Sequence, residues 1–169
     1  AMFAASYRER DFAMKETPEL SDRVKVTGYL RADNLIDYAR NDRMRVRHSL
    51  GYQTGDKVVH VISTWGEDSL LGRLGENLLC ELGKLGHKYK FILSIHPRFD
   101  DLTMVGIGYR ENMLVKAQKL GFNVNRSVDW EDFVVAADVA IADHTSLSLY
   151  YVLLDKPLLL LDVPRERYR

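Results

Sequence analysis

The chain lacks most of the features that announce a function outright. Over 169 residues it has no net charge, 24 Lys+Arg standing against 24 Asp+Glu. A general binder of the nucleic-acid backbone needs a net basic face, so no nucleic-acid partner is expected. The single cysteine, Cys80, cannot close an internal disulfide, which suits a reducing compartment. No apolar run approaches the roughly 20 residues that span a bilayer, and the N-terminus carries no signal-peptide pattern. The expected location is therefore the cytoplasm. A Walker A loop, a CxxC pair and an HExxH helix are all missing. Gly106-Ile107-Gly108 starts like a dinucleotide fingerprint, but Glu111 stands where the third glycine belongs. Repeats and low-complexity tracts are absent too. Asp100-Asp101 is the one acidic pair that resembles a metal site, and two carboxylates in a polar loop do not make one; no metal is expected.

What is present is a rhythm. With 46% hydrophobic residues the chain can bury one sizeable core. From Lys57 onward, short apolar runs alternate with helical spacing, the order that builds a parallel sheet with right-handed crossover helices. Strands are predicted at Lys57–Ser63, Lys90–Ile95, Phe122–Asn125, Asp138–Ala142 and Pro157–Leu161. The last of these, PLLLL, is apolar enough for the middle of a parallel sheet. Between them, helices are predicted over Asp68–Leu85, Arg110–Leu120, Asp129–Ala137 and Ser146–Leu154. The first carries Leu71, Leu74, Leu78, Leu82 and Leu85 on one face. The expected fold class is α/β, a Rossmann-like parallel sheet with helices on both faces. Residues 1–56 break the rhythm and read as a connecting segment, with a strand near Arg23–Thr27, a loop over Gly28–Asp33 and a polar helix over Asn34–Leu50. Residues 57–169 form the Rossmann-like domain.

In an open parallel sheet, ligands bind beyond the carboxyl ends of the strands, where helix N-termini also point. Those ends present Ser63-Thr64-Trp65, His96-Pro97, Asn125-Arg126-Ser127, Asp143-His144-Thr145-Ser146 and Asp162. Hydroxyls, imidazoles and a guanidinium with few acids suit a phosphorylated ligand. In Asp143–Ser148 (DHTSLS), Asp, Thr and Ser are the residues that cap helices and also the ones that hold phosphate, and the two roles are compatible. His96, at a strand end before proline, is placed to donate to a phosphate oxygen or to act as an acid near neutral pH. His60, inside an apolar strand, reads as structural, and Cys80 as core. Arg40, Arg43, Arg45 and Arg47 form a basic cluster on the polar helix, by default a solvated face, with anionic lipid or a phosphate-rich polymer as its functional alternative.

Four stretches then resemble the CDP-glycerol glycerophosphotransferases that make wall teichoic acid. Thr27–Asp33 (TGYLRAD) is similar to that family's TGYPR-x-D segment, with Leu30 for the proline. Ser63-Thr64-Trp65 resembles its P-T-W turn and His96-Pro97 its His-Pro pair. Ala137–Ser146 (ADVAIADHTS), followed by Lys156-Pro157, is similar to its SD-x-x-I-T-D-Y-S-S…K-P block, with His144 where the family has Tyr and Tyr150 where it has an acidic residue. The resemblance implies the C-terminal, nucleotide-donor-binding half of a GT-B transferase. The acceptor and a catalytic base would lie on a preceding Rossmann-like domain absent from this chain. It further implies that an acceptor hydroxyl attacks the glycerol-bearing phosphorus of CDP-glycerol and releases CMP. In that scheme His96 is catalytic, and Thr64, Arg126, Asp143, His144, Thr145 and Ser146 bind the donor phosphates. CDP-glycerol is a substrate and no cofactor is implied. The acceptor would be a glycerol-phosphate polymer or a lipid-linked one, met at the inner face of the membrane. Two alternatives stay open: another GT-B transferase or nucleotide-sugar epimerase using a UDP-sugar, and a non-catalytic module that binds a nucleotide or an anionic polymer.

Overall fold

The computed structural model describes residues 2–99, 108–126 and 129–162. They divide into two compact units, one within residues 1–38 and the other within 39–169.

In the first unit, strand β1 (Met2–Ala4) pairs in parallel with β2 (Val24–Val26), Met2 opposite Val24 and Ala4 opposite Val26. Helix α1 (Tyr7–Glu16) and a 3-10 helix (Pro18–Arg23) connect them. Ser6 caps α1 by accepting from Glu9 N at 3.2 Å. The sequence pattern located β2 but not β1, because three residues are too few to show an alternation. Helix α2 (Leu30–Ser49) then begins at Leu30 rather than Asn34, so the predicted loop gives its last four residues to the helix, and α2 continues into the second unit.

The second unit is a five-stranded parallel sheet. Its strands are β3 (Val58–Ser63), β4 (Lys90–Ile95), β5 (Asn123–Asn125), β6 (Val139–Ala142) and β7 (Leu158–Leu160), in the order β5-β4-β3-β6-β7. Helices α3 (Leu70–Gly83), α4 (Tyr109–Lys119), α5 (Glu131–Ala136) and α6 (Ser148–Leu153) make the crossovers. Side chains of a strand alternate between faces, and β3 shows the consequence. Val59 and Val61 enter a core with Leu71 and Leu79 of α3, Met113, Leu114 and Ala117 of α4, and Phe91, Leu93 and Ile95 of β4. His60 lies on the opposite face, against Phe133 of α5 and Tyr151 of α6, with ring centroids 6.2 and 6.0 Å away. Helices therefore cover both faces, as the alternating pattern predicts.

Two expectations are corrected. The leucine spacing predicted an unbroken helix over Asp68–Leu85, yet α3 is interrupted at Gly75, where φ is 52° and ψ −144°. Only glycine adopts that backbone without strain, and the apolar period is insensitive to one non-helical residue. Strand β7 is at the edge of the sheet rather than in its middle. Among the described strands only β6 pairs with it, and Leu159 and Leu160 are 62% and 58% exposed. Apolar composition marks a surface that can be buried, not the neighbour that buries it.

The amino ends of the strands are locked by charge. Asp138 Oδ2 accepts from Val58 N at 2.7 Å, and the carboxylate pairs with Arg43 and Arg47. Arg47 is itself buried and donates to Ala136 O at 2.9 Å and to Asp56 O. Arg45 pairs with Asp42 at 2.8 Å. Arg43 and Arg47 are thus spent on ion pairs at the strand ends, while Arg40 and Arg45 stand on the exposed face of the helix, as the default reading of the cluster expects. Lys156 Nζ donates to Val134 O, Val135 O and Ala137 O at 2.6, 2.9 and 2.7 Å, filling the orphan carbonyls at the end of α5. No helix among the described residues is long and apolar enough to cross a membrane.

Candidate functional site

Because all five strands are parallel, β3, β4, β5 and β6 end at one edge of the sheet, and a cleft of about 220 Å³ opens there. Its floor is Ile62 and Ser63 of β3, Ser94 and Ile95 of β4, and Asn125 of β5. Its walls are His96 and Pro97 on one side and Trp130, Thr145, Ser146 and Leu147 on the other. Trp130 packs at a tilt on the buried Tyr150, with ring centroids 4.2 Å apart.

His96 follows β4 directly and is half-buried. Its backbone N–H donates to Ser63 O at 2.9 Å, and its ring packs on Trp65 with centroids 4.3 Å apart. Nδ1 accepts from Arg98 N at 3.1 Å, so in the neutral ring the proton sits on Nε2. Partial burial, followed by the positive charges of Arg98 and Arg110, lowers the pKa below the ordinary histidine value. At neutral pH the ring is therefore an uncharged donor through Nε2–H.

Thr145 and Ser146 form the turn ahead of α6. Thr145 Oγ1 accepts from Leu147 N at 3.3 Å, and its carbonyl accepts from Ser148 N at 3.2 Å and Ser148 Oγ at 2.6 Å. At the cap position of α6 itself stands Leu147, with no side-chain cap, so Thr145 serves the turn before the helix rather than its first residue. Asp143 caps another helix. Its buried carboxylate accepts from Leu70 N at 2.7 Å, from Thr64 N at 2.9 and 3.1 Å, and from Ser63 Oγ at 3.3 Å. It thereby pins the end of β3 and the start of α3 to the end of β6. Burial pushes the carboxyl pKa up, opposed by the N–H groups of Leu70 and Thr64.

This clamp changes several expectations. The first three N–H groups of α3, on Leu70, Leu71 and Gly72, are taken by Asp143, Ser63 Oγ and Ser69 Oγ at 2.7, 3.0 and 3.0 Å. They are not available as anion donors. Asp143 faces these amides rather than the cleft, and Thr64 is buried against it. Arg126 is exposed and pairs with both oxygens of Glu111 at 2.7 Å and with Gln118 at 3.0 Å, while His144 is exposed. Among the described lining residues, the structure brings His96, Thr145 and Ser146 together and leaves Thr64, Arg126, Asp143 and His144 out. Ser127 and the Asp100-Asp101 pair lie outside the described residues.

Ser94 and Trp130 line the cleft without having been singled out. A serine inside the apolar run KFILSI was the available signal for Ser94; Trp130 carried none beyond its place before an acidic helix start. His60, inside β3, lies away from the rim of the cleft. It is fully buried, with Tyr151 Oη and Ser94 Oγ each 2.7 Å from a ring nitrogen.

A family model described as CDP-Glycerol:Poly(glycerophosphate) glycerophosphotransferase matches residues 3–169. Among solved structures, the wall teichoic acid polymerase TagF superposes with a TM-score of 0.63 at 20% identity, over 92% of this chain and 37% of TagF. A TagF variant soaked with CDPG gives 0.65 at 21% identity, over 98% and 38%. The UDP-GlcNAc 2-epimerase of Neisseria meningitidis bound to UDP-GlcNAc gives 0.60 at 17%, over 98% and 45%. These likenesses establish the fold, that of GT-B glycosyltransferase structures, and the chain spans less than half the length of each. No curated protein matches.

Proposed function

The chain belongs to the CDP-glycerol:poly(glycerophosphate) glycerophosphotransferase family, and from that premise we propose that it binds the nucleotide donor in an enzyme that moves glycerol phosphate from CDP-glycerol to a glycerol-phosphate or teichoic-acid-type acceptor, releasing CMP. The observation that carries this reading is the cleft at the carboxyl edge of the sheet, where the neutral imidazole of His96 faces the hydroxyl-bearing turn Thr145-Ser146. A diphosphate seated between them would meet three donors and no carboxylate among the described lining residues.

In the proposed reaction an acceptor hydroxyl attacks the glycerol-bearing phosphorus. The bond to the bridging oxygen breaks, negative charge gathers on the departing CMP, and the acceptor's proton leaves to a base. Phosphoryl transfer of this kind is mainly positioning plus charge stabilisation. His96 Nε2–H donates to the bridging or departing oxygen, and Thr145 and Ser146 donate to non-bridging ones. Asp143 acts indirectly by fixing the strand ends. CDP-glycerol enters as substrate and the scheme draws on no cofactor. We place the acceptor, polymeric or lipid-linked, on a preceding Rossmann-like domain of the whole enzyme, working in the cytoplasm at the inner face of the membrane.

Calorimetry on this chain with CDP-glycerol, CMP, CDP and UDP-N-acetylglucosamine tests the donor. Selective binding of the cytidine ligands, weakened in His96→Ala and Ser146→Ala, is expected. Preference for the uridine ligand would move the assignment to a nucleotide-sugar enzyme of the same fold. In the whole enzyme, His96→Ala should lower turnover by on the order of 100-fold, and near-normal turnover would remove His96 from the chemistry.

A further inference from the structure

The floor of the cleft is connected to the core by a chain of three polar side chains that the proposed reaction leaves unused. His60, in the middle of β3, is fully buried between two hydroxyls, with Tyr151 Oη 2.7 Å from Nδ1 and Ser94 Oγ 2.7 Å from Nε2. Tyr151 is also fully buried, whereas Ser94 is one of the residues that line the cleft. Burial, helped by the charge of Lys156, lowers the pKa of His60 to about 3, so the ring is neutral at working pH and carries one N–H.

Counting protons decides which nitrogen carries it. Among the described residues, the phenolic hydroxyl of Tyr151 has a hydrogen-bond partner only in His60 Nδ1. Were Nδ1 protonated, it would donate to Tyr151 Oη and leave the phenolic O–H buried without an acceptor, an arrangement native interiors avoid. Tyr151 therefore donates to Nδ1, the ring proton sits on Nε2, and Nε2–H donates to Ser94 Oγ. The serine's own proton is then not used on His60 and is left for the cleft. In the opposite tautomer Ser94 would turn its proton inward to Nε2 and present only lone pairs, which repel an anion.

We infer that Ser94 is a ligand-binding hydrogen-bond donor on the floor of the cleft, aimed at an oxygen of the phosphorylated ligand by Tyr151 acting through His60. This rests on the reading of the cleft as a donor site. Ser94 touches the ligand; His60 and Tyr151 are positioning residues. The arrangement also explains a histidine in an otherwise apolar strand, since imidazole can accept at one nitrogen and donate at the other.

The test has two arms on the full chain. Long-range proton–nitrogen spectra of isotope-labelled wild type, without ligand, should show His60 as the Nε2–H tautomer; the Nδ1–H form overturns the inference. Calorimetry with CDP-glycerol should show roughly tenfold weaker binding in Ser94→Ala, the cost of one hydrogen bond to an anion. Tyr151→Phe, which frees Nδ1 to take the proton, should weaken binding while Ser94 remains present, and its spectrum should gain the Nδ1–H form. A purely structural role would lower the melting temperature of both variants and leave affinity unchanged, overturning the inference while the donor reading stands. If wild type binds no cytidine ligand, the donor reading fails and this one fails with it.

Discussion

Lowering the pH from 7 to 5 should make His60 a measurable liability to the fold. In the folded state its pKa is lowered to about 3, chiefly by complete burial, while in the unfolded chain it titrates near 6.5. The folded value lies below the unfolded one, so below pH 6.5 the unfolded state binds the extra proton. Stability is complete above that pH and falls as the pH drops toward 3. Between pH 7 and pH 5 the linkage relation gives a loss of about 2 kcal/mol from this residue alone. His96, also lowered, acts in the same direction, so the contribution of His60 is best read as a difference. Urea denaturation of wild type and His60→Gln at pH 7, 6 and 5 supplies it. The glutamine chain will be less stable throughout, because Tyr151 and Ser94 lose their shaped partner, but its stability should fall less steeply with acid, by the same 2 kcal/mol or so. Parallel curves for the two proteins would refute the reasoning and mean that acid finds another site first.

Other positions make sharper structural demands. Asp143→Asn sets an amide NH2 among the N–H groups of Thr64 and Leu70, and should cost roughly 2–4 kcal/mol in denaturant titration; a loss under 0.5 kcal/mol would mean that the clamp is unimportant. At Gly72 an added Cβ would collide with the carbonyl oxygen of Gly66 and lie 2.8 Å from that of Glu67. Gly72→Ala should therefore lower stability by about 2 kcal/mol, a drop of roughly 4–8 °C in Tm, and unchanged melting would show that the turn yields freely. Lys156→Met removes the donor to three carbonyls at the end of α5 and should cost about 3 kcal/mol, with amide exchange fastest in α5. A neutral result there would mean that water replaces the ammonium without penalty.

Much of the fold was legible from local pattern. Period-two and period-3.6 hydrophobicity, punctuated by Gly and Pro, placed five strands and four helices of the second unit within about two residues of where they stand, because burial on each face is written into residue order. The parallel direction followed from their alternation, and with it the edge where His96, Thr145 and Ser146 gather. The same pattern was silent about β1, whose pairing with β2 is a contact between residues more than twenty positions apart, and it could not see the break at Gly75.

Partners across the sheet were beyond its reach. Nothing near Asp143 in the chain says that its carboxylate caps α3, some seventy residues earlier, because a cap requires only an acceptor in the right place and any strand end can supply one. For the same reason Arg126, a strand-end guanidinium on paper, spends its charge on Glu111, and Arg43 and Arg47 spend theirs on Asp138. Residue order thus determined the layers and the chemistry available at the rim, since both depend on periodicity and on side-chain type. Folding decided which of those groups remain available to a ligand, since that depends on distances of about 3 Å between residues that only the closed sheet brings together.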